Sequence, residues 1–162
     1  MKRLADNVKI TMPEGPGAAV TGYTTATNCI DMANYRRCRI VLAVTQSGAG
    51  TGTVTLKQAA AADGSDEKAL TFAGYLKNET GVTTDALTAV AATTLTTAGP
   101  TTGLNVYVFE VRSEELDQAN SFRYLRLNLA SLSNNTAAAM WYELYDCRNT
   151  AGADDMPTGI SA

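Results

Sequence analysis

The stretch Phe122-Arg123-Tyr124-Leu125-Arg126-Leu127-Asn128-Leu129 constrains this chain more than any other. Leu125, Leu127 and Leu129 fall on one side of a period-two repeat. Phe122, Tyr124, Arg126 and Asn128 fall on the other. In an extended strand successive side chains point to opposite faces, so the three leucines make a core face. A helix would scatter the same residues around its axis. The opposite face is amphipathic rather than simply solvated.

The same two-sidedness recurs in neighbouring stretches. In 106–111, Tyr107, Phe109 and Val111 share one face, while Val106 and Val108 share the other. In 137–145, Met140, Tyr142 and Leu144 oppose Trp141, Glu143 and Tyr145. An antiparallel sheet with one face in water alternates cleanly between apolar and polar. Large apolar groups on both faces mean that something covers the second face. Amphipathic helices are scarce here, so the cover is another subunit or the long Thr/Ala-rich connection at 80–103. Tyr, Trp and Arg are enriched among interface anchors. The candidate protein-interface residues are therefore Tyr107, Phe109, Tyr124, Arg126, Trp141 and Tyr145, with the terminal arms 1–26 and 148–162.

Short extended runs continue upstream. Val8-Lys9-Ile10-Thr11-Met12 alternates and runs into the breaker cluster Pro13-Glu14-Gly15-Pro16-Gly17. Cys29 to Met32 reads as a short strand turned by Ala33-Asn34. Arg39 to Thr45 and Thr53 to Gln58 flank a Gly-rich connection and read as a hairpin. Lys68 to Ala73 reads as a strand, and 59–66 as a loop. Residues 80–103 read as loop plus one or two edge strands, because Thr favours extended backbone. Ser113 to Asn120 is a polar connection with room for one helical turn. Seven or eight short strands with almost no helix predict an all-β fold: an antiparallel β-sandwich or jelly-roll-like barrel. The expected organisation is an extended arm or edge strand at 1–26, the sandwich at 27–148 and a tail at 149–162.

Composition narrows the chemistry. The chain has 162 residues, a size that supports one core without disulfides. It contains 26 Ala and 23 Thr but no His. Without His, Ser-His-Asp and Cys-His hydrolysis and His-ligated zinc are excluded. The formal charge of −3 argues against a nucleic-acid partner. No apolar stretch is long enough for a membrane helix. The N-terminus Met1-Lys2-Arg3-Leu4-Ala5-Asp6 lacks the apolar core of a secretory leader. Cys29, Cys38 and Cys147 are odd in number and match no zinc spacing, so each reads as a small buried hydrophobe.

No catalytic set stands out. Glu114-Glu115 and Asp154-Asp155 read as solvated carboxylates in polar loops. Asp63-Gly64-Ser65-Asp66-Glu67 lacks the ligand spacing and terminal bidentate Glu of a calcium loop. Gly48-Ala49-Gly50-Thr51-Gly52 has neither the Lys nor the following helix of a phosphate-binding loop. Arg36, Arg37 and Arg39 form a small basic cluster that reads as salt-bridged to the acidic excess. The expectation is a non-enzyme with no cofactor and no metal.

The order Ile30-Asp31-Met32-Ala33-Asn34-Tyr35, Arg36-Arg37-Cys38-Arg39-Ile40-Val41-Leu42-Ala43-Val44, a Gly-rich turn, Thr53-Val54-Thr55-Leu56-Lys57-Gln58-Ala59, then Phe122 to Leu127 and an Ala-rich closing strand resembles small structural proteins of tailed bacteriophages. The likeness is one of texture and strand order over about residues 28–60 and 104–148, and it contains no diagnostic motif. It implies a β-sandwich capsid decoration, cement or head-completion protein. The implied partners are the major capsid protein or other virion proteins, with a homo-oligomer, a trimer for preference. The implied location is the virion, after synthesis in the bacterial host cytoplasm. A tail-tube, stopper or head–tail adaptor subunit is the alternative within the virion. A carbohydrate-binding β-sandwich is the alternative from another class, since exposed Tyr and Trp can stack on sugars.

Overall fold

A computed structural model describes residues 8–12, 17–18, 23–25, 29–46, 51–79, 86–97, 103–130 and 135–148. Within them the chain is an antiparallel β-sandwich of two sheets. Twelve strands are formed: β1 Val8–Thr11, β2 Gly17–Ala18, β3 Ile30–Asp31, β4 Tyr35–Gln46, β5 Thr53–Ala59, β6 Lys68–Leu70, β7 Tyr75–Asn78, β8 Thr88–Val90, β9 Leu95–Thr96, β10 Gly103–Arg112, β11 Tyr124–Ala130 and β12 Asn135–Cys147. The larger sheet runs β1-β12-β4-β10-β7-β8, with β2 also on β12. The smaller runs β3-β11-β5-β6, with β9 also on β5.

The alternating patterns set which faces meet. Leu125, Leu127 and Leu129 of β11 join Val54 and Leu56 of β5 in one buried layer. Ile40, Leu42 and Val44 of β4 and Met140, Tyr142 and Leu144 of β12 form the opposing layer. Fully burying one such side chain contributes about 1.5–3 kcal/mol, so this core dominates stability. Two tyrosines also cross it. The Tyr142 hydroxyl on β12 accepts from the Leu127 N–H on β11 at 2.9 Å. The Tyr23 hydroxyl donates to the Ala138 carbonyl at 2.7 Å, while its backbone bridges Leu129.

Several expectations change. The runs 39–45 and 53–58 do not form a hairpin: β4 pairs with β10 and β12, and β5 with β11, β6 and β9. Each run has one strongly apolar face, and those faces meet across the core instead of lying side by side in one sheet. Lys68 to Ala73 is extended as a strand only over Lys68–Leu70. β7 was unforeseen, since Tyr75-Leu76-Lys77-Asn78 lacks clear alternation. Gly74 precedes it because a Cβ there would lie 2.7 Å from the Val90 carbonyl oxygen. The 80–103 stretch supplies an edge strand to each sheet, β8 and β9. The 113–120 connection holds two single 3-10 turns, Ser113–Glu115 and Gln118–Asn120.

Candidate protein-contact surface

The six candidate residues separate by face. Tyr107 and Phe109 are fully buried on the inner face of β10, so they are core residues and not available for contact. Phe109 packs edge-on against Phe72, ring centroids 5.1 Å apart, and beside Tyr75 at 5.7 Å. The Tyr107 hydroxyl reaches the rim of the core and donates to Glu79 Oε1 at 3.1 Å. Alternation correctly separated Tyr107 and Phe109 from Val106 and Val108. It could not say which apolar face points inward, and the larger rings took the core.

Tyr124 and Arg126 lie on the outer face of the smaller sheet, but the chain itself covers them. Tyr124 is packed with Cys29 and Ala59 in a satellite cluster flanked by Ala62. Arg123 stacks on the Tyr124 ring at 4.9 Å. The Arg126 side chain is 4% exposed and donates to Glu67 Oε2 through Nε at 3.1 Å and Nη2 at 2.5 Å. The segment carrying Glu67 is held down by its own carboxylates: Asp66 accepts from the Ala60 and Ala61 N–H groups, and Asp63 from Ser65 N–H. Those bonds explain why the Asp63–Glu67 motif is a turn. Burial raises the Cys29 thiol pKa against the lowering influence of Arg126.

Trp141 and Tyr145 remain on the outer face of the larger sheet, half-buried. Cross-strand register places Trp141, Val41, Val108, Leu76 and Ala89 in one row across β12, β4, β10, β7 and β8. The next row is Ile10, Glu143, Arg39 and Glu110. The row on the other side of Trp141 is Ala139, Ala43 and Val106, and beyond it lie Ala137, Thr45 and Leu104. Ile10 is 63% exposed, Leu104 55%, Met12 44% and Leu76 38%. Ile10, Leu104 and Leu76 point outward by strand parity, and Met12 follows the parity of β1 one residue past its end. The described part of the Thr/Ala stretch extends the sheet edges and leaves these residues uncovered. This is an apolar field of small and medium side chains around one indole.

A polar ladder bounds the field. Trp141 Nε1–H donates to Glu143 Oε1 at 3.1 Å, and Arg39 donates to Glu143 Oε2 at 3.1 Å. Arg39 also lies over the Tyr145 ring at 5.8 Å. Burial, then the neighbouring Glu110 carboxylate, raises the Tyr145 phenol pKa. Opposite charges alternate here, which keeps Trp141 and Tyr145 in fixed orientations. The arms 1–26 and 148–162 lie largely outside the described residues.

Cys29, Cys38 and Cys147 are not joined in disulfides, and burial raises the Cys38 thiol pKa strongly. Among the described residues no cluster of three or more Cys, Asp or Glu is placed to hold a metal ion. No helix there is long and apolar enough to cross a membrane.

No family model matches the chain, and no curated protein matches it. A chain in the structure of infectious bursal disease virus Gt strain overlaps it with 13% identity and a TM-score of 0.23. The overlap covers 94% of this chain and 45% of that one, so the chain spans under half the length of its neighbour. At that TM-score the likeness carries no argument about fold or function. The class of protein is defined by the fold alone: an all-β sandwich, in which several large hydrophobic residues among those described are exposed on the outer face of one sheet.

Proposed function

We propose that this chain is a non-enzymatic virion structural protein that acts through protein–protein contact, binding a phage capsid and stabilising it. One observation carries the contact role. Among the described residues, four of the five exposed large hydrophobics lie on the outer face of a single sheet, around Trp141. Val41 and Val108 between them are buried, so the exposed side chains rim a packed centre, and exposed apolar groups gathered on one face mark an interaction site. The virion assignment rests on the resemblance in strand order and texture to small phage head proteins. Binding that occurs only in the assembled particle stabilises it by mass action.

Light scattering with size-exclusion tests this reading, joined to co-sedimentation with expanded capsids. Self-association, with a trimer expected, or capsid binding supports it, and Ile10→Asp with Leu104→Asp should abolish either one. A monodisperse monomer that does not bind capsids overturns it. Rings in electron micrographs would move the site to the head–tail junction or tail.

A further inference from the structure

A second surface feature lies at the end of the sandwich where β4 begins and β10 and β12 finish. A cleft of about 400 Å³ there is lined by Arg36, Arg37, Arg112 and Arg148, with Glu114 and Asp146. Arg37 and Arg112 are direct cross-strand partners on the outer face. Like charges placed opposite one another destabilise a sheet. Arg148 is fixed at the same end, its N–H donating to the Asn34 carbonyl at 2.9 Å.

The cleft's own acids only partly compensate. Arg37 Nε lies 3.2 Å from Asp146 Oδ2 and its Nη1 3.5 Å from Glu110 Oε1, and Arg112 Nη1 lies 3.4 Å from Glu114 Oε1. Each is a single-point contact on an exposed pair, not the two-point fork that guanidinium and carboxylate can form. Arg36 is exposed, and no acid among the described residues lies within ion-pair distance of it. Arg148 donates to the Ser113 hydroxyl at 2.8 Å, a neutral partner. Four guanidinium groups thus face two cleft carboxylates, in a chain whose overall charge is −3. Asp146 takes a left-handed backbone, φ 55, a conformation Asp adopts more readily than most residues with a Cβ.

We infer that this cleft is a docking site for the paired carboxylates of an acidic segment on a partner protein. Charge complementarity supplies the first reason: Arg36 and Arg148, which have no acidic partner among the described residues, match two carboxylates. Continuity supplies the second. Arg37 is the cross-strand partner of Tyr145, so the cleft opens onto the edge of the apolar contact face. A nucleic-acid backbone fits poorly, because Glu110, Glu114, Glu143 and Asp146 would meet its extended line of phosphates. The inference rests on the contact role proposed above and adds the chemistry of the partner.

Titration of the ¹⁵N-labelled full chain with a hexa-aspartate peptide at low salt tests it. Saturable amide shifts should be confined to the strand ends at 34–37, 112–118 and 146–148. Arg36→Gln alone should weaken binding several-fold, and Arg36→Gln with Arg148→Gln at least tenfold. Arg36 has no described ion pair to lose, so that variant should fold. Lys57→Gln, on β5 of the other sheet, should bind like the parent. Shifts spread over all basic residues, or a double variant that binds normally, would overturn the inference. Inorganic phosphate saturating the same amides more tightly than the peptide would also overturn it, making this a small-anion site. Loss of assembly in Ile10→Asp with peptide binding intact separates failure of the apolar face from failure of the cleft.

Discussion

The outer faces of the two sheets begin from the same sequence signature and end differently. Both carry aromatic and basic residues opposite a strict core face. On the smaller sheet the chain folds back: residues 59–67 cover Tyr124 and clamp Arg126 through Glu67. On the larger sheet the described chain supplies only edge strands, and Ile10, Leu104, Met12 and Leu76 stay in water. Two-sided apolarity therefore says that a face wants cover but not where the cover comes from. A short loop with Asp side chains capping its own N–H groups can supply it in cis. Where no such loop lies among the described residues, large apolar side chains stay exposed.

Mutations should expose this difference, and the core between the sheets sets the upper limit. Phe109→Ala should cost about 3–5 kcal/mol in denaturant unfolding, as expected for an aromatic removed from a packed interior. It should leave residual association proportional to the folded fraction. A loss under about 1 kcal/mol would mean that Phe109 does not sit in the ring cluster with Phe72 and Tyr75.

The covered face should respond next. Glu67→Ala leaves the nearly buried Arg126 guanidinium without its carboxylate. Breaking a buried pair costs about 3–5 kcal/mol, but Glu67 is itself partly exposed, so about 1–2 kcal/mol is expected from urea melts. Tyr124→Ala should likewise lower stability and leave assembly unchanged. If either variant weakened assembly at full stability, the smaller sheet would be a contact surface and the contrast between faces would fail.

The bare face should show the reverse. Leu104→Ser and Ile10→Ser change exposed side chains, so stability should move by no more than about 0.5 kcal/mol. Assembly or capsid binding should fall at least tenfold, read by sedimentation. Trp141→Ala should join them, with a somewhat larger stability cost because the indole is half-buried and donates to Glu143.

These contrasts also show where sequence reading stops. The layer Leu125, Leu127, Leu129 was legible because only one face of that strand is aliphatic. The separation of Met140, Tyr142 and Leu144 from Trp141, Glu143 and Tyr145 was legible for the same reason. Sheet membership was not: a Gly-rich link between 39–45 and 53–58 suits an arch between sheets as well as a hairpin within one. Nor was the inward direction of Tyr107, since both faces of β10 are apolar and only the width of the core decides. The arginine cleft was half-visible. Arg36-Arg37 stands out in sequence, but Arg112 and Arg148 join it only because β10 and β12 both flank β4 in antiparallel register.

The smallest effect tests how the covered side is fastened at its margin. Asp117 accepts from Lys68 Nζ and from Asn120 Nδ2, and its own N–H donates to Gln58 Oε1 at 2.8 Å. This ties the 3-10 turns to β5 and β6. The hydrogen bond from Lys68, then that from Asn120, holds the Asp117 carboxyl pKa below its ordinary value. A depressed carboxyl pKa in the folded state means that the unfolded chain binds the proton more readily. The contribution is therefore fully present above about pH 4–5 and disappears as pH falls through the folded value. Asp117→Asn should lower the melting temperature slightly at pH 7, match the parent near pH 2, and flatten the acid limb between. Because the pair is solvent-exposed, 0.5 M salt should shrink the difference at pH 7. No difference at pH 7 would show that the side chain acts through hydrogen bonds an amide can also accept and not through its charge. The fastening of the 3-10 turns would then be a matter of shape, like the Asp66 cap at the other end of the covering loop.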